Sequence, residues 1–339
     1  MKASTGERHI LIIGGAGYIG SVLTRSLLRL GYRVRVLDAL LYDNDFAVRE
    51  LIDTPGFSFM CGDFCDVNDL KIAVDGVTDV VMLAALVGDP VCRQYPDLAR
   101  RINETGTIRL IELLNHTAAQ RFVFMSTCSN YGLRPDDSEA VETSELNPQS
   151  LYAETKVRVE HRLLESFGSL NYAFTILRAS TAYGISPRMR FDLTVNEFTR
   201  ELALGRDLEV YDADTWRPYC HVEDIAEAIR LVLSAEASVV DGEVFNVGAG
   251  PENHTKRMIV GYLKDIMPQG VVRFKTGMVD PRNYRVSFRK IAGCLAFRPQ
   301  RSVKTYMPQL VQAVMGGAYP AADVQPNRYA NTSPYVKSA

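Results

Sequence analysis

An apolar run, His9–Ile13, leads directly into Gly14-Gly15-Ala16-Gly17-Tyr18-Ile19-Gly20, and an amphipathic stretch then runs from Tyr18 to Leu30. Gly14, Gly17 and Gly20 thus stand in a G-x-x-G-x-x-G spacing on the turn between a strand and a helix. A tight exit from a strand needs glycine's backbone freedom, and a ligand reaches the main chain there only where no Cβ intervenes. The helix N-terminus beyond presents free N–H groups and a positive dipole end, which together suit a pyrophosphate. The spacing alone is weak. Its place between strand and helix makes it the dinucleotide fingerprint of a Rossmann-type fold.

The following residues repeat the pattern. Arg33–Asp38, Phe57–Cys61, Asp79–Leu83 and Arg121–Ser126 read as further strands, with helical periodicity over Phe46–Ile52, Val67–Val74 and Leu98–His116. Strands apolar throughout, alternating with helices, imply an α/β fold: a doubly wound parallel sheet covered on both faces, with right-handed crossovers. Ser150–Phe167 predicts another helix and Tyr172–Arg178 a sixth strand. After Arg178 the prolines at 187, 218, 251, 268, 281 and 299 punctuate shorter elements, as in a smaller, loop-rich α/β lobe. Helix Val222–Leu233 and strand Glu243–Val247 still look like the first lobe. The expected division is a Rossmann domain over 1–180 to which 222–247 returns, and a substrate lobe from 181–221 and 248–315. The Gly-, Pro- and Asn-rich tail, 316–339, should wrap the surface or be disordered.

Asp38 ends the second strand, 18 residues after Gly20. An acid there accepts hydrogen bonds from the adenosine ribose and repels a 2′-phosphate. Ala39-Leu40-Leu41 offers no arginine for that phosphate, so NAD is favoured over NADP. Asp63, after the third strand, is either an adenine contact or a turn residue. Tyr152 and Lys156 lie four apart, on one helix face. A tyrosine of pKa about 10 is only about 0.1% ionised at pH 7, and a nearby ammonium and the positive nicotinamide both favour its phenolate. Such a tyrosine can take the proton of a carbinol as hydride leaves its carbon. Ser126-Thr127-Cys128-Ser129-Asn130-Tyr131-Gly132 brings hydroxyls to the C-terminal edge of the sheet, where such folds bind ligands.

Bulk composition excludes other classes. A formal net charge of −2 argues against a nucleic acid or an anionic membrane as partner. No apolar run approaches the roughly 20 residues of a membrane span, and MKASTGERHI has no signal-peptide core. The six cysteines form no C-x-x-C pair and no Cys/His cluster, so free thiols of a cytoplasmic protein are expected, with no metal site. Of the 38 basic residues 29 are Arg and 9 Lys. Arginine grips phosphate and carboxylate as a fork.

Together these residues resemble the extended short-chain dehydrogenase/reductase family, the NAD-dependent nucleotide-sugar epimerases and dehydratases. The likeness covers about residues 8–315. It takes in GGAGYIG at Gly14–Gly20, Leu83-Ala84-Ala85, STCSNYG, Tyr152-x-x-x-Lys156 and Leu177-Arg178 to Tyr183-Gly184. It continues through Arg217-Pro218-Tyr219-Cys220-His221-Val222 and Phe245-Asn246-Val247-Gly248. The resemblance implies Tyr152 as the base, Lys156 as the group that lowers its pKa and binds the nicotinamide ribose, and Thr127 as the hydroxyl on the reacting sugar oxygen. Tyr18, Ile19, Phe64, Leu83, Ala84, Ala85 and Asn103 would belong to the cofactor side. Cys128, Ser129 and Thr181 would face the sugar, Arg217 the nucleotide diphosphate, and Arg282 the diphosphate or the ribose. Arg-Pro218 stands where the family usually has Arg-Asp. The family also implies a homodimer through Leu98–His116 and Ser150–Phe167.

Departures from the family pattern bear on the reaction. Its 4,6-dehydratases carry Thr-Asp-Glu and its decarboxylases usually Thr-Ser-Glu where this chain has Thr127-Cys128-Ser129. Expelling a 6-hydroxyl needs an acid and a base beside carbon 6. Thr-Cys with a small residue looks like the 4-epimerases, in which hydride leaves carbon 4 and returns to the other face. Ser186–Leu193 and the Val87–Cys92 loop resemble instead a bacterial subgroup with heptose-nucleotide 4-dehydrogenases, where the 4-keto sugar leaves as product. Arg188 and Arg190 in that segment suit phosphate or a polar sugar, or are solvated loop arginines.

Overall fold

The computed structural model describes residues 8–134, 138–277, 282–320 and 322–334. Asp280 and Pro281 beside Arg282, and the last five residues of the tail, lie outside them. Seven parallel strands form the main sheet: β1 (His9–Ile13), β2 (Arg33–Asp38), β3 (Phe57–Cys61), β4 (Asp79–Met82), β5 (Arg121–Thr127), β6 (Ala173–Ala179) and β7 (Glu243–Val247). Their order is β7-β6-β5-β4-β1-β2-β3, with the switch of direction between β1 and β4. In open α/β sheets that switch point is where ligands bind, beyond the strands' carboxyl ends. Strand β1 is buried on both faces, as its uniformly apolar sequence requires.

Helix α1 (Tyr18–Arg29) leaves the glycine loop and packs on α3 (Val222–Ser234). Between them in sequence, α2 (Leu151–Glu165) starts at Ser150, whose hydroxyl accepts from the Ala153 amide at 3.3 Å. The smaller lobe carries a sheet of Thr181–Tyr183, Trp216–His221 and Asn253–Thr255, and a two-stranded pair, Leu208–Tyr211 with Val272–Lys275. Strand β7 lies at the edge of the main sheet although smaller-lobe residues precede it.

Several elements differ from expectation for local reasons. β4 stops at Met82 because the Leu83 and Ala84 amides both turn to the Ile13 carbonyl, at 2.9 and 2.8 Å. The helix expected over Leu98–His116 is three pieces: Pro96–Arg100, a wide turn Arg101–Gly106 with i→i+5 bonding, and Thr107–Leu114. Gly106 sits in that wide turn, and a Cβ there would meet the Cys65 sulfur at 2.5 Å. Phe46–Ile52 shortens to one turn, Phe46–Arg49, and Asp89–Gln94 adds a turn of helix with Pro90 at its start. The described part of the tail wraps the surface: Tyr329 packs on Phe191 and Tyr319, and its carbonyl receives the Phe191 amide at 2.7 Å. No described helix is long and apolar enough to cross a membrane.

Candidate active site

A cleft of about 1710 Å³ opens over the switch point, between the sheet's carboxyl edge and the smaller lobe. The glycine loop forms its floor. Gly14 has φ +87°, and a Cβ on it would lie 2.6 Å from the Ala84 nitrogen; one on Gly20 would lie 2.2 Å from the Gly14 carbonyl. Gly17 caps α1 without a side-chain acceptor, which leaves the first amides of the helix for an anion. Ile19, Phe64, Leu83, Ala84 and Ala85 line the same wall. Tyr18 lines it too, but its hydroxyl donates to the Gly184 carbonyl at 2.6 Å, so its side chain fastens the loop to the smaller lobe.

Asp38 is held at the end of β2 by the Ala16 and Leu40 amides, each at 2.9 Å. Burial raises its pKa and those amides oppose the rise. Each oxygen keeps a lone pair for a ribose hydroxyl. Asp63 accepts from the Cys65 amide at 2.9 Å and pairs with Arg101, so the turn role is real and the residue also stands on the cleft wall. With the glycines and Asp38, the residues present fit a bound dinucleotide.

Thr127, Tyr152 and Lys156 meet at the far end of the cleft. The Thr127 oxygen accepts from the Ser129 amide at 3.1 Å, and the Ser129 hydroxyl lies 3.3 Å from the Tyr284 hydroxyl. Lys156 is 2% exposed. Its ammonium donates to the Met125 carbonyl at 2.9 Å and lies 5.9 Å from the centre of the Tyr152 ring. Burial pulls its pKa down to about 8, against the opposing pull of Glu160.

A buried network lies beneath this corner. Glu160 takes a forked ion pair from Arg178 (2.7 and 3.0 Å) and a hydrogen bond from Asn130 at 2.8 Å. The Ser126 hydroxyl also donates to Glu160, while Arg178 bonds the Tyr131 hydroxyl, which donates to Asn246 at 2.7 Å. α2, β5, β6 and β7 are tied together at the point where Thr127, Tyr152 and Lys156 emerge.

Four expectations need correction. Burial holds the Tyr152 phenol above the ordinary tyrosine range, the Cys92 thiol adds to this, and the opposing cation is Arg190, so depression by Lys156 is not what this geometry gives. Cys128 does not face the sugar: its thiol is buried and donates to the Arg178 carbonyl at 3.1 Å. Asn103 is fully buried behind the cofactor wall, clamping both backbone groups of Leu86 at 2.7 and 3.0 Å. It positions that wall without touching it. Arg188 and Arg190 are not solvated loop arginines: both are buried, and both line the cleft. Their segment is bound to α1, through Ser186 to the Tyr18 carbonyl (2.7 Å) and Asn196 to the Tyr18 hydroxyl (3.1 Å), on the dinucleotide half.

Thr181 and Arg217 do line the opposite wall. The Arg217 guanidinium stacks on Tyr284 at 5.1 Å and donates to the Trp216 carbonyl at 2.7 Å. Arg282 reaches the cleft but pairs with Asp89 at 3.0 Å. Sequence reasoning missed Tyr42, Cys92 and Glu160. Glu160 was findable, since it follows Lys156 by one helical turn on the same face.

A Tyr–Lys pair beside a Rossmann glycine loop defines an enzyme of the extended short-chain dehydrogenase/reductase type that uses NAD. The chain belongs to the NAD-dependent epimerase/dehydratase family, whose model matches residues 10–248. It is 31% identical over 254 residues to a dTDP-glucose 4,6-dehydratase of Streptomyces niveus, covering 72% of this chain and 73% of that one. It is equally 31% identical over 256 residues to a UDP-glucose 4-epimerase of Lactobacillus helveticus, covering 70% and 76%. Among solved structures, a Thermus thermophilus UDP-glucose 4-epimerase complexed with NAD superposes with a TM-score of 0.78 at 27% identity, covering 91% of this chain and 99% of that one. A dTDP-glucose 4,6-dehydratase from Streptomyces venezuelae with NAD gives 0.82 at 27%, covering 92% and 98%.

Proposed function

We propose that the protein is a nucleotide-sugar 4-epimerase that oxidises carbon 4 transiently. The relatives include both 4-epimerases and dehydratases, so the reading rests on the residues beside Thr127. The two positions that carry an acid and a base in the dehydratases are here a thiol turned into the core, Cys128, and a neutral hydroxyl bonded to Tyr284, Ser129. Neither can expel a 6-hydroxyl.

NAD, when bound, supplies the acceptor and donor of hydride. Tyr152 takes the proton of the 4-hydroxyl as the C4–H bond breaks, and returns it after the 4-keto sugar has turned over. Thr127 hydrogen-bonds the reacting oxygen. Lys156 holds the nicotinamide ribose. Arg217 receives the nucleotide diphosphate as a fork, its plane fixed by Tyr284. We place the enzyme in the cytoplasm, on six free thiols among the described residues, and expect a homodimer, which light scattering reads directly.

The test mixes purified protein with NAD and a panel of UDP-, dTDP-, GDP- and CDP-sugars, following NADH absorbance and product NMR together. A 4-epimer without net NADH is the expected result. Stoichiometric NADH with a 4-keto product would identify a 4-dehydrogenase instead, and loss of the 6-hydroxyl would overturn the argument from Cys128 and Ser129.

A further inference from the structure

The C-terminal segment 327–332 crosses the mouth of the dinucleotide half of the cleft and is fastened at each of its sides. The Asn327 and Ala330 carbonyls receive one nitrogen of Arg188, at 3.2 and 3.1 Å. The Asn331 amide reaches Asp192 at 3.3 Å, and its side-chain nitrogen the Val87 carbonyl at 3.5 Å. Arg328 stacks on Phe46, in the turn of helix that follows the ribose-side strand β2, at 3.9 Å. Asn331 and Thr332 themselves line the cleft. One short stretch therefore joins the adenosine side, the loop after β4 and the arginine segment of the smaller lobe.

Three groups on this wall are built for something more than each other. Arg188 is 2% exposed, yet its acceptors are the two tail carbonyls, its guanidinium lies 5.1 Å from the centre of the Tyr42 ring, and no described carboxylate comes within ion-pairing distance. Asp192 and Asp38 act on it only from beyond ion-pairing distance, and a buried guanidinium with no directly bonded carboxylate gains from a bound anion. The Tyr42 hydroxyl and the Asn331 side-chain amide oxygen are buried with no hydrogen-bond partner, and both residues line the cleft. Buried polar atoms are nearly always satisfied, so two orphans beside a guanidinium with no bonded carboxylate mark a ligand surface. The anion that belongs there is the pyrophosphate of the dinucleotide, because the arginine segment is bonded to Tyr18 at the first turn of α1. A 2′-phosphate would meet the Asp38 carboxylate on the same side.

We propose that residues 327–332 are a strap that completes the dinucleotide site, with Arg188 as its latch on the pyrophosphate, and that it keeps the cofactor in place from one turnover to the next. This rests on the cofactor reading and not on which sugar is turned over. An enzyme that takes hydride and returns it gains from holding its cofactor; one that releases a keto product must let it go.

The test is the rate of cofactor release. Protein loaded with NADH is mixed with excess NAD and the loss of NADH fluorescence followed, for the unaltered chain and for Tyr329→Ala/Asn331→Ala, which unseats the strap. Release at least tenfold faster in the variant is expected; release within twofold overturns the strap even if the epimer still forms. Should the variant not fold, trypsin on the unaltered protein decides. NAD should slow cleavage after Arg328 at least fivefold while leaving cleavage at the exposed Arg273 unchanged, and equal cleavage with and without NAD refutes the proposal. An NADPH arm separates the sources of phosphate: retention of NADPH equal to that of NADH would overturn the assignment of Arg188 to the pyrophosphate. Failure to bind any dinucleotide would sink the cofactor reading itself.

Discussion

The two walls of the cleft are made differently. The sheet-side wall presents Thr127, Tyr152 and Lys156 from the end of β5 and the first turns of α2, anchored on the Glu160–Arg178 ion pair. The opposite wall presents Arg217 from a short strand, Arg282 from a loop, and Arg188 from a segment clamped by the tail. The first wall fixes distances for chemistry, where small misplacements are costly. The second supplies charge, which tolerates variation because it acts over longer range. On the proposed function, reaction type belongs to the first wall and the grip on cofactor and substrate phosphates to the second.

Substitutions that separate rate from grip break this comparison if it is wrong. Tyr152→Phe removes the acid–base group and should lower kcat about 10³-fold. Dinucleotide binding, read by fluorescence titration, should be unchanged, and turnover within tenfold of the unaltered enzyme would show that the base lies elsewhere. Arg217→Lys keeps the charge but loses the fork. KM for the nucleotide sugar should rise about 10- to 100-fold with kcat within about threefold, and a fall in kcat alone would move Arg217 to the chemical wall.

The smallest effect concerns the cost of the first wall. Because burial lowers the Lys156 pKa to about 8, the folded chain binds fewer protons than the unfolded one between there and the ordinary lysine value. Stability of the unaltered protein, relative to Lys156→Met, should therefore rise with pH through that window. At pH 7, where the unaltered side chain is charged and desolvated, Lys156→Met should be the more stable, by on the order of 1–3 kcal/mol. Thermal melts across pH 7 to 10 check this; parallel curves would mean the ammonium is not strained.

What the sequence disclosed follows the range of the interactions. The glycine loop, Asp38 and the Tyr152–Lys156 pair were legible because each depends on neighbours within one turn or one strand. The site of Arg188 was not, since its acceptors are 139 and 142 residues away in the tail. Cys128 was misplaced because its role was carried over from the resemblance, whereas here β5 gives way to a tight turn that aims the thiol at the Arg178 carbonyl. The divided helix around Asn103 depends on Gly106 fitting against Cys65, a contact no periodicity reports. The rise in the Tyr152 pKa comes from burial, to which the Cys92 thiol adds.

Strand β7 completes the main sheet, yet it is encoded after the strand that carries Arg217. A ribosome issuing this chain from its N-terminus therefore delivers six of seven strands and most of one catalytic wall while the edge beside β6 is still bare. That edge, Thr175–Ala179, carries unpaired backbone groups until Glu243–Val247 emerges to cover it. The nascent chain passes through a long interval in which it is adhesive, and its yield in a cell should depend on chaperone supply more than its finished stability suggests.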